Sequence, residues 1–469
     1  MTRPALASLQ PDVTLQRDDA GKPVALVDTL LGRTVTLGPA AALIAERLDG
    51  TRALADVCEA VAAEHGSRAD VEAAARSLMC LNMVSGCGDA IREQIASAAG
   101  RLEYVTLQGA RFECQGSGAC CQNYQFGPLS DDDVTLLQEL ARSGRFPRQA
   151  DEPLMVEKRT ADGSMARYLP TVDDHCVHLG ADQRCGLHAV FGPTGKPGFC
   201  RLYPLEVLKT VEGMKFYDRG TCGALEVSGA SGRTLLAQAV GYETVFPRQQ
   251  ALYHPIVFLE GRPLDYGYFL RLSHLLQRVV DQPGVTPLAR IRAAARVMRE
   301  WSEVLGNMPV TPEALDGVLR EVENTGVQQW YDHNLAGGHE AFTRLMEEVL
   351  EMVRGPLANG TSRRLVAELL PRLEMLCGQP RLPVASVTTD VMLRRSLKQH
   401  LFGRQALLED RPTAALLRLA VVHLVTLMDP EQPSRAHMLG MRVLESCGDV
   451  FLRHDGEGLG ILQALPEAG

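Results

Sequence analysis

The pattern of apolar and polar positions changes character twice along the chain. Near the start it is short and mixed. Val24-Ala25-Leu26-Val27 and Arg33-Thr34-Val35-Thr36-Leu37 read as two strands with Leu31-Gly32 at the turn. Pro39 to Leu48 reads as a short helix stopped by Asp49-Gly50, and Thr51 is placed to cap the next one. That helix carries Leu54, Val57, Cys58, Val61 and Ala62 on a single stripe. Gly66-Ser67 breaks it, and Ala69 to Leu81 forms a third helix with Val71, Ala74, Ala75, Leu78 and Met79 inward. Strands plus three short helices predict a winged-helix-like domain over residues 1–88.

Between residues 101 and 228 the periodicity fades and glycines crowd in, among them Gly116, Gly118, Gly180, Gly186, Gly192, Gly195 and Gly198. Two helical pieces are expected inside this loop-rich stretch. One runs from Ser130, as cap, to Ser143 with Asp131–Asp133 in its first turn, and the other from Leu205 to Lys209. A segment that buries little by periodic packing needs something else to tie it together, and a metal would do so.

From 232 to 469 helical periodicity dominates. The expected helices are Asp265–Val280, one opened by Thr286-Pro287 and ending at Gly306, one opened by Thr311-Pro312-Glu313, then Glu340–Val353, Ser362–Leu376, Val391–Leu408 and Thr413–Met428. Leu416 to Met428 is apolar nearly all round and predicts the central buried helix. Gln379 to Val387 is the most linker-like interruption. The fold class is therefore α+β, predominantly α-helical: a small winged-helix-like N-terminal domain, a loop-rich cysteine-cluster domain over 101–228, and an all-helical C-terminal domain over 232–469.

Composition narrows the function. Lys and Arg number 48 against 57 Asp and Glu, a net charge of −9, and aromatics make up 5%. Neither phosphate neutralisation nor base stacking suits such a chain, which argues against nucleic acid as partner. No run approaches the ~20 apolar residues of a membrane span, and Arg418 and His423 interrupt the most apolar stretch. The first residues lack a continuous apolar segment of the secretory kind, so the expected compartment is the cytoplasm.

There are twelve cysteines, and seven of them (Cys114, Cys120, Cys121, Cys176, Cys185, Cys200 and Cys222) fall in the glycine-laced middle. In a reducing compartment a dense thiol cluster points to a metal or redox site rather than a disulfide framework. Four thiolates can close a tetrahedral zinc site or hold an iron–sulfur cluster. Glycines beside the ligands would let backbone N–H groups face sulfur, and Arg201 next to Cys200 could offset thiolate charge. The neighbours Cys120 and Cys121 are expected to point differently. His175, His178 and His188 each lie within three residues of a cysteine and are candidate ligands or acid/base groups. Cys58, Cys80, Cys87, Cys377 and Cys447 sit in or beside helical patterns and read as core. The spacing matches neither the paired CxxC of zinc ribbons nor the ferredoxin run, so zinc and iron–sulfur both stay open, with a lean to iron–sulfur.

Phe112-Glu113-Cys114 with Cys120-Cys121, then Cys176-Val177-His178-Leu179, Cys185-Gly186-Leu187-His188 and Cys200-Arg201-Leu202-Tyr203-Pro204 resemble, in order, the CxxCxxCC (YkgJ-type) zinc- or iron-chelating cysteine-cluster family. The resemblance covers residues 112 to 222. Ser117 stands where that family's name places its second cysteine, leaving Cys222 or Cys185 to fill in. Within the family the chain is most similar to the flagellin lysine N-methylase branch. That resemblance implies an iron–sulfur cluster of the 4Fe-4S type and S-adenosylmethionine as methyl donor. Neither a glycine-rich loop of ordinary methyltransferases nor the C-x3-C-x2-C of radical enzymes is present. The N-terminal stretch, through Leu48-Asp49-Gly50-Thr51-Arg52, Ala55-Asp56-Val57 and Val71 to Leu81, resembles PqqD-like peptide-recognition domains, which implies a peptide or protein substrate held at a sheet edge. Two functions follow as expectations: a metal-bearing methyltransferase that modifies a peptide or protein side chain, or a non-catalytic zinc/iron-binding or redox accessory protein in peptide maturation.

Overall fold

The structure is a computed structural model that describes residues 6–30, 33–86, 89–98, 103–122, 126–146, 153–159, 165–173, 175–210, 212–242, 257–259, 262–263, 266–307, 317, 320, 339–355, 363–378, 384–403, 412–454, 458–463 and 465. It is mixed α and β, and predominantly helical.

At the N-terminus, β1 (Leu6–Ser8) is followed by β2 (Val13–Arg17), β3 (Pro23–Asp28) and β4 (Arg33–Thr36). The last three form an antiparallel sheet in which Leu26 sits opposite both Leu15 and Val35. The expected turn at Leu31-Gly32 lies outside the described residues. Helices α1 (Pro39–Glu46), α2 (Leu54–His65) and α3 (Arg68–Cys80) close the core with Ile44, Val57, Val61, Val71 and Leu78. Gly66 ends α2 in the left-handed region and Ser67 accepts from the Asp70 amide as N-cap of α3.

Thr51 does not cap α2. Asp49–Ala53 is instead a strand, β5, paired with β1, and α2 starts after Ala53 without a side-chain cap. The Asp49 carboxylate accepts from both the amide and the hydroxyl of Thr51, so the residue's polar groups are taken up locally before any helix begins. A further helix, α4 (Asp89–Ala98), carries the unit beyond residue 88. Its Arg92, almost wholly buried, donates to both oxygens of fully buried Asp28 at 2.9 and 3.0 Å and to Asp12 at 3.3 Å.

The middle of the chain contains β6 (Tyr104–Val105) and α5 (Asp131–Arg142), the latter capped by Ser130 as the sequence implies, with Asp133 completing a reciprocal capping box. Then come β7 (Val156–Arg159) with β8 (Met165–Tyr168), β9 (Thr171–Val172) with β10 (His175–Cys176), α6 (Gly186–Phe191) and α7 (Gly198–Leu202). The helix expected from Leu205 to Lys209 is a strand, β11 (Leu205–Thr210), hairpinned to β12 (Gly213–Asp218), with β6 parallel on its far side. Every residue of β12 is buried, so the hairpin is an internal element, and burial on both faces hides the alternation that marks a strand.

Beyond α8 (Leu225–Ser228) and α9 (Leu235–Ala239) the described residues of the C-terminal region are mostly helical, and a short hairpin, β13 (Val257–Leu259) with β14 (Arg262–Pro263), corrects the all-helical expectation. The helices are α10 (Tyr266–Val280), α11 (Pro287–Asn307), α12 (His339–Arg354), α13 (Arg363–Gly378), α14 (Val387–Phe402), α15 (Pro412–Leu427), α16 (Pro433–Leu444), α17 (Gly448–Arg453) and α18 (Gly458–Gln463). The helix start at Thr311 falls outside the described residues, while the helix expected over Val391–Leu408 runs instead over Val387–Phe402 and ends at Gly403. α15 is the buried centre, as its all-round apolar sequence implies, and packs against α11, α13, α14, α16, α17 and α18. One hydrophobic core joins these helices to Val207, Met214 and Phe216 of the β11–β12 hairpin. Among the described residues no helix is long and apolar enough to cross a membrane.

Candidate metal centre

Three tight backbone features bring the cysteines together. Gly118 adopts φ 65°, and a Cβ there would stand 2.0 Å from the Gln183 carbonyl oxygen, so only glycine lets this loop lie against the next one. Its carbonyl accepts from the Cys121 amide and starts the single 3-10 turn Ala119–Cys121. Cys176 and Cys185 are joined by a compact loop in which the Gly180 amide donates to the Arg184 carbonyl and the Gly186 amide to the His178 carbonyl. Gln122 ties the two loops through its side-chain amide, which donates to Gln183 at 2.7 Å. Cys200 enters on α7, whose Gly198 amide donates to Asp133 of α5.

Five of the seven predicted thiols line one cavity of about 140 Å3: Cys120, Cys121, Cys176, Cys185 and Cys200. That is far more room than the roughly 10–15 Å3 one water needs. The Cys120 and Cys121 sulfurs lie 3.9 Å apart, so the adjacent thiols face the same space and do not diverge as expected. Cys121 shares its proton with Cys120 and Cys185; this lowers the pKa of those two thiols and raises that of Cys121. Burial pushes Cys176 up to about 12 and Cys200 well above its ordinary value. The rest of the wall is apolar, from Phe126, Leu169, Leu187 and Phe199, with His178, Lys196, Tyr203 and Arg219 as its polar members.

Lys196 is 8% exposed and has no carboxylate within ion-pair distance among the described residues. Burial alone would lower its pKa, yet the charge of nearby cysteines, Cys120 foremost, holds it above the ordinary value. A buried ammonium is costly unless paired. Lys196 lines the same cavity as the five thiols, so its charge is set beside sulfur rather than beside a carboxylate. The sequence points to Arg201 for this role, but Lys196, not Arg201, lines the cavity. A lysine shortly before Cys200 in the same glycine-rich stretch is the signal the sequence offers.

The two remaining candidates stand apart from the lining. Cys114 is exposed, and Cys222 is buried beside Ser228, with its sulfur accepting from the Ala224 amide at 3.4 Å. Amides favouring thiolates belong to Ala224, His178, Leu187 and His188 rather than to the flanking glycines. His178 lines the cavity, while His188 is half-buried and held low by burial and Lys196. His175 lies outside it, with its ring nitrogens on Asp173 and Arg364. Cys58 and Cys447 pack in separate cores as expected, whereas Cys377, also expected in the core, is exposed.

The donor set suits a soft metal. Two thiolates on one tetrahedral ion with bonds near 2.3 Å sit about 3.8 Å apart, close to the observed 3.9 Å. No three His, Cys, Asp or Glu side chains among the described residues already stand at closed ion-site spacing. The thiols share a chamber, and drawing them onto one centre requires side-chain rotation. No protein-family model, curated protein or solved structure matches this chain.

Proposed function

We propose that this protein holds a thiolate-ligated metal centre, an iron–sulfur cluster first, in the cavity of Cys120, Cys121, Cys176, Cys185 and Cys200. The observation that carries the reading is geometric: five thiols from three chain segments line one cavity together with the buried Lys196. The cavity volume supports a polynuclear centre over a lone ion, and five thiols supply more than the four ligands such a cluster takes. When bound, the centre would supply electron transfer or Lewis acidity inside an apolar wall. The chain's own residues exclude water through Phe126, Leu169, Leu187 and Phe199, and balance charge through Lys196.

A zinc ion held by four of these thiols is the second reading, favoured by the 3.9 Å separation of Cys120 and Cys121. We further propose that the centre serves the modification of a peptide or protein presented by the N-terminal unit, whose β2–β3–β4 sheet offers strand edges. S-adenosylmethionine-dependent lysine N-methylation is the chemistry this reading names, and its support is the order of the cysteine motifs alone.

Anaerobic purification followed by visible absorbance and acid-labile sulfide analysis tests the choice. Visible absorbance with sulfide supports the cluster. Zinc at one per chain without sulfide supports the second reading, and a metal-free protein that binds neither rejects both.

A further inference from the structure

The cysteine-bearing segments are held from outside by one residue of the helical region. Arg442, on α16 and 6% exposed, donates to the Gln122 carbonyl at 3.3 Å and to the Ala119 carbonyl at 3.2 Å. Those two carbonyls bracket Cys120 and Cys121. The same guanidinium donates to the Tyr203 hydroxyl at 2.6 Å, and that hydroxyl donates to the carbonyl of Thr221. Tyr203 directly follows α7, which carries Cys200, and Thr221 precedes Cys222. The guanidinium also lies 5.7 Å from the centre of the Tyr203 ring. The chain separation is large: α16 lies some 240 residues beyond Tyr203 and over 300 beyond Cys120.

Neighbouring contacts dock the same loop onto the same helices. The Glu226 amide donates to Ser434 of α16 at 2.8 Å, and the Asp218 amide donates to Gln399 of α14 at 3.3 Å. Gly223 packs so closely between Ala119 and Met438 that a Cβ would meet Ala119 at 2.7 Å. Ala119 is therefore fixed on one side by Gly223 and on the other by Arg442.

We propose that Arg442 is the positioning residue of the cysteine centre. Its planar fork holds the Cys120–Cys121 turn, the end of the Cys200 helix and, through Tyr203, the start of the Cys222 loop in one arrangement. The centre is then complete only when the helical region is docked. This rests on the metal-centre reading for its function but not for its geometry. A lysine keeps the charge and loses the fork, so charge alone does not substitute.

The test uses the full chain with Arg442→Met, Arg442→Lys and Tyr203→Phe, against Cys200→Ser. Helical circular dichroism and thermal unfolding report folding; bound metal and the visible spectrum report the centre. Expected is a loss of metal of about tenfold in Arg442→Met at unchanged helicity, with Arg442→Lys failing to restore the wild-type spectrum. A smaller loss is expected in Tyr203→Phe, which also decides the matter if Arg442→Met does not fold. Full metal and an unaltered spectrum in both Arg442→Met and Tyr203→Phe overturn the proposal. Should the wild type hold no metal, the reading of the centre fails separately, and the alkylation rates of Cys120 and Cys121 decide. They rise about tenfold in Arg442→Met, relative to Cys58 and Cys377, if the clamp is real, and stay equal if it is not.

Discussion

The sulfur of Cys120 stands 3.9 Å from that of Cys121, on the wall of a cavity they share with three thiols from two other segments. Neighbouring residues seldom face the same way. Here a single 3-10 turn after left-handed Gly118 makes them do so.

Removing a cavity thiol should remove the metal. Cys120→Ser and Cys200→Ser should lose most bound metal and loosen residues 110 to 225. Cys377→Ser and Cys114→Ser, outside the lining, should keep it. Metal per chain across the four variants checks this; retention in Cys200→Ser with loss in Cys377→Ser would reverse the assignment.

Lys196→Met should separate the loaded and empty states. With its counter-cation gone, a thiolate-bound metal should be held more weakly, by about tenfold or more. The empty protein should unfold at a lower temperature, since the thiols that hold Lys196 above its ordinary pKa favour the charged lysine in the fold and do nothing for a methionine. Metal titration and melting of both states read this out, and equal metal affinity would deny Lys196 its role.

The N-terminal unit depends on one buried ion pair. Asp28→Ala leaves buried Arg92 with half-exposed Asp12 as its remaining carboxylate, and the expected cost is about 3–5 kcal/mol to that unit. Thermal or denaturant unfolding followed at the N-terminal unit should shift accordingly, with metal content unchanged. A shift below about 1 kcal/mol would place the pair among weak surface bridges.

Acid should weaken the helical region. His437 bonds Ser396 at 2.9 Å and Thr426 at 3.3 Å, and burial with His400 nearby pushes it down to about 3. His423 is fully buried, neither of its ring nitrogens has a hydrogen-bond partner among the described residues, and burial with His437, His400 and Arg290 around it holds it well below its ordinary value. Both fold neutral, so the unfolded chain binds more protons below pH 6.5. Their contribution is complete above that pH and is lost as pH falls toward 3. Asp218, raised to about 6 by burial, acts oppositely: its contribution is present below its ordinary value of 3.8 and is lost as pH rises through 6. The histidines outweigh it, with about 3 kcal/mol from His437 alone between pH 7 and pH 4. Melting from pH 8 to 4 should show this loss, and His437→Gln should flatten it.

The sequence showed most where one physical signal dominated. The α5 capping box, the stripe of α2 and the all-apolar α15 were legible because local chemistry and burial agree there. The β11–β12 hairpin was hidden because both its faces are buried, which erases alternation. β5 was missed because Asp49 and Thr51, residues that favour turns and caps, pair with a strand over 40 residues away. For the site, clustering and residue type identified the thiols. The convergence of Cys120 and Cys121, the place of Lys196 and the reach of Arg442 depend on contacts no linear spacing encodes.

The most direct test measures iron, zinc and acid-labile sulfide per chain in anaerobically purified full-length protein, beside its Cys200→Ser variant. The account predicts metal in near-stoichiometric amount, accompanied by sulfide, in the first and its loss in the second. Equal metal in both, or none in either after reconstitution, would contradict it.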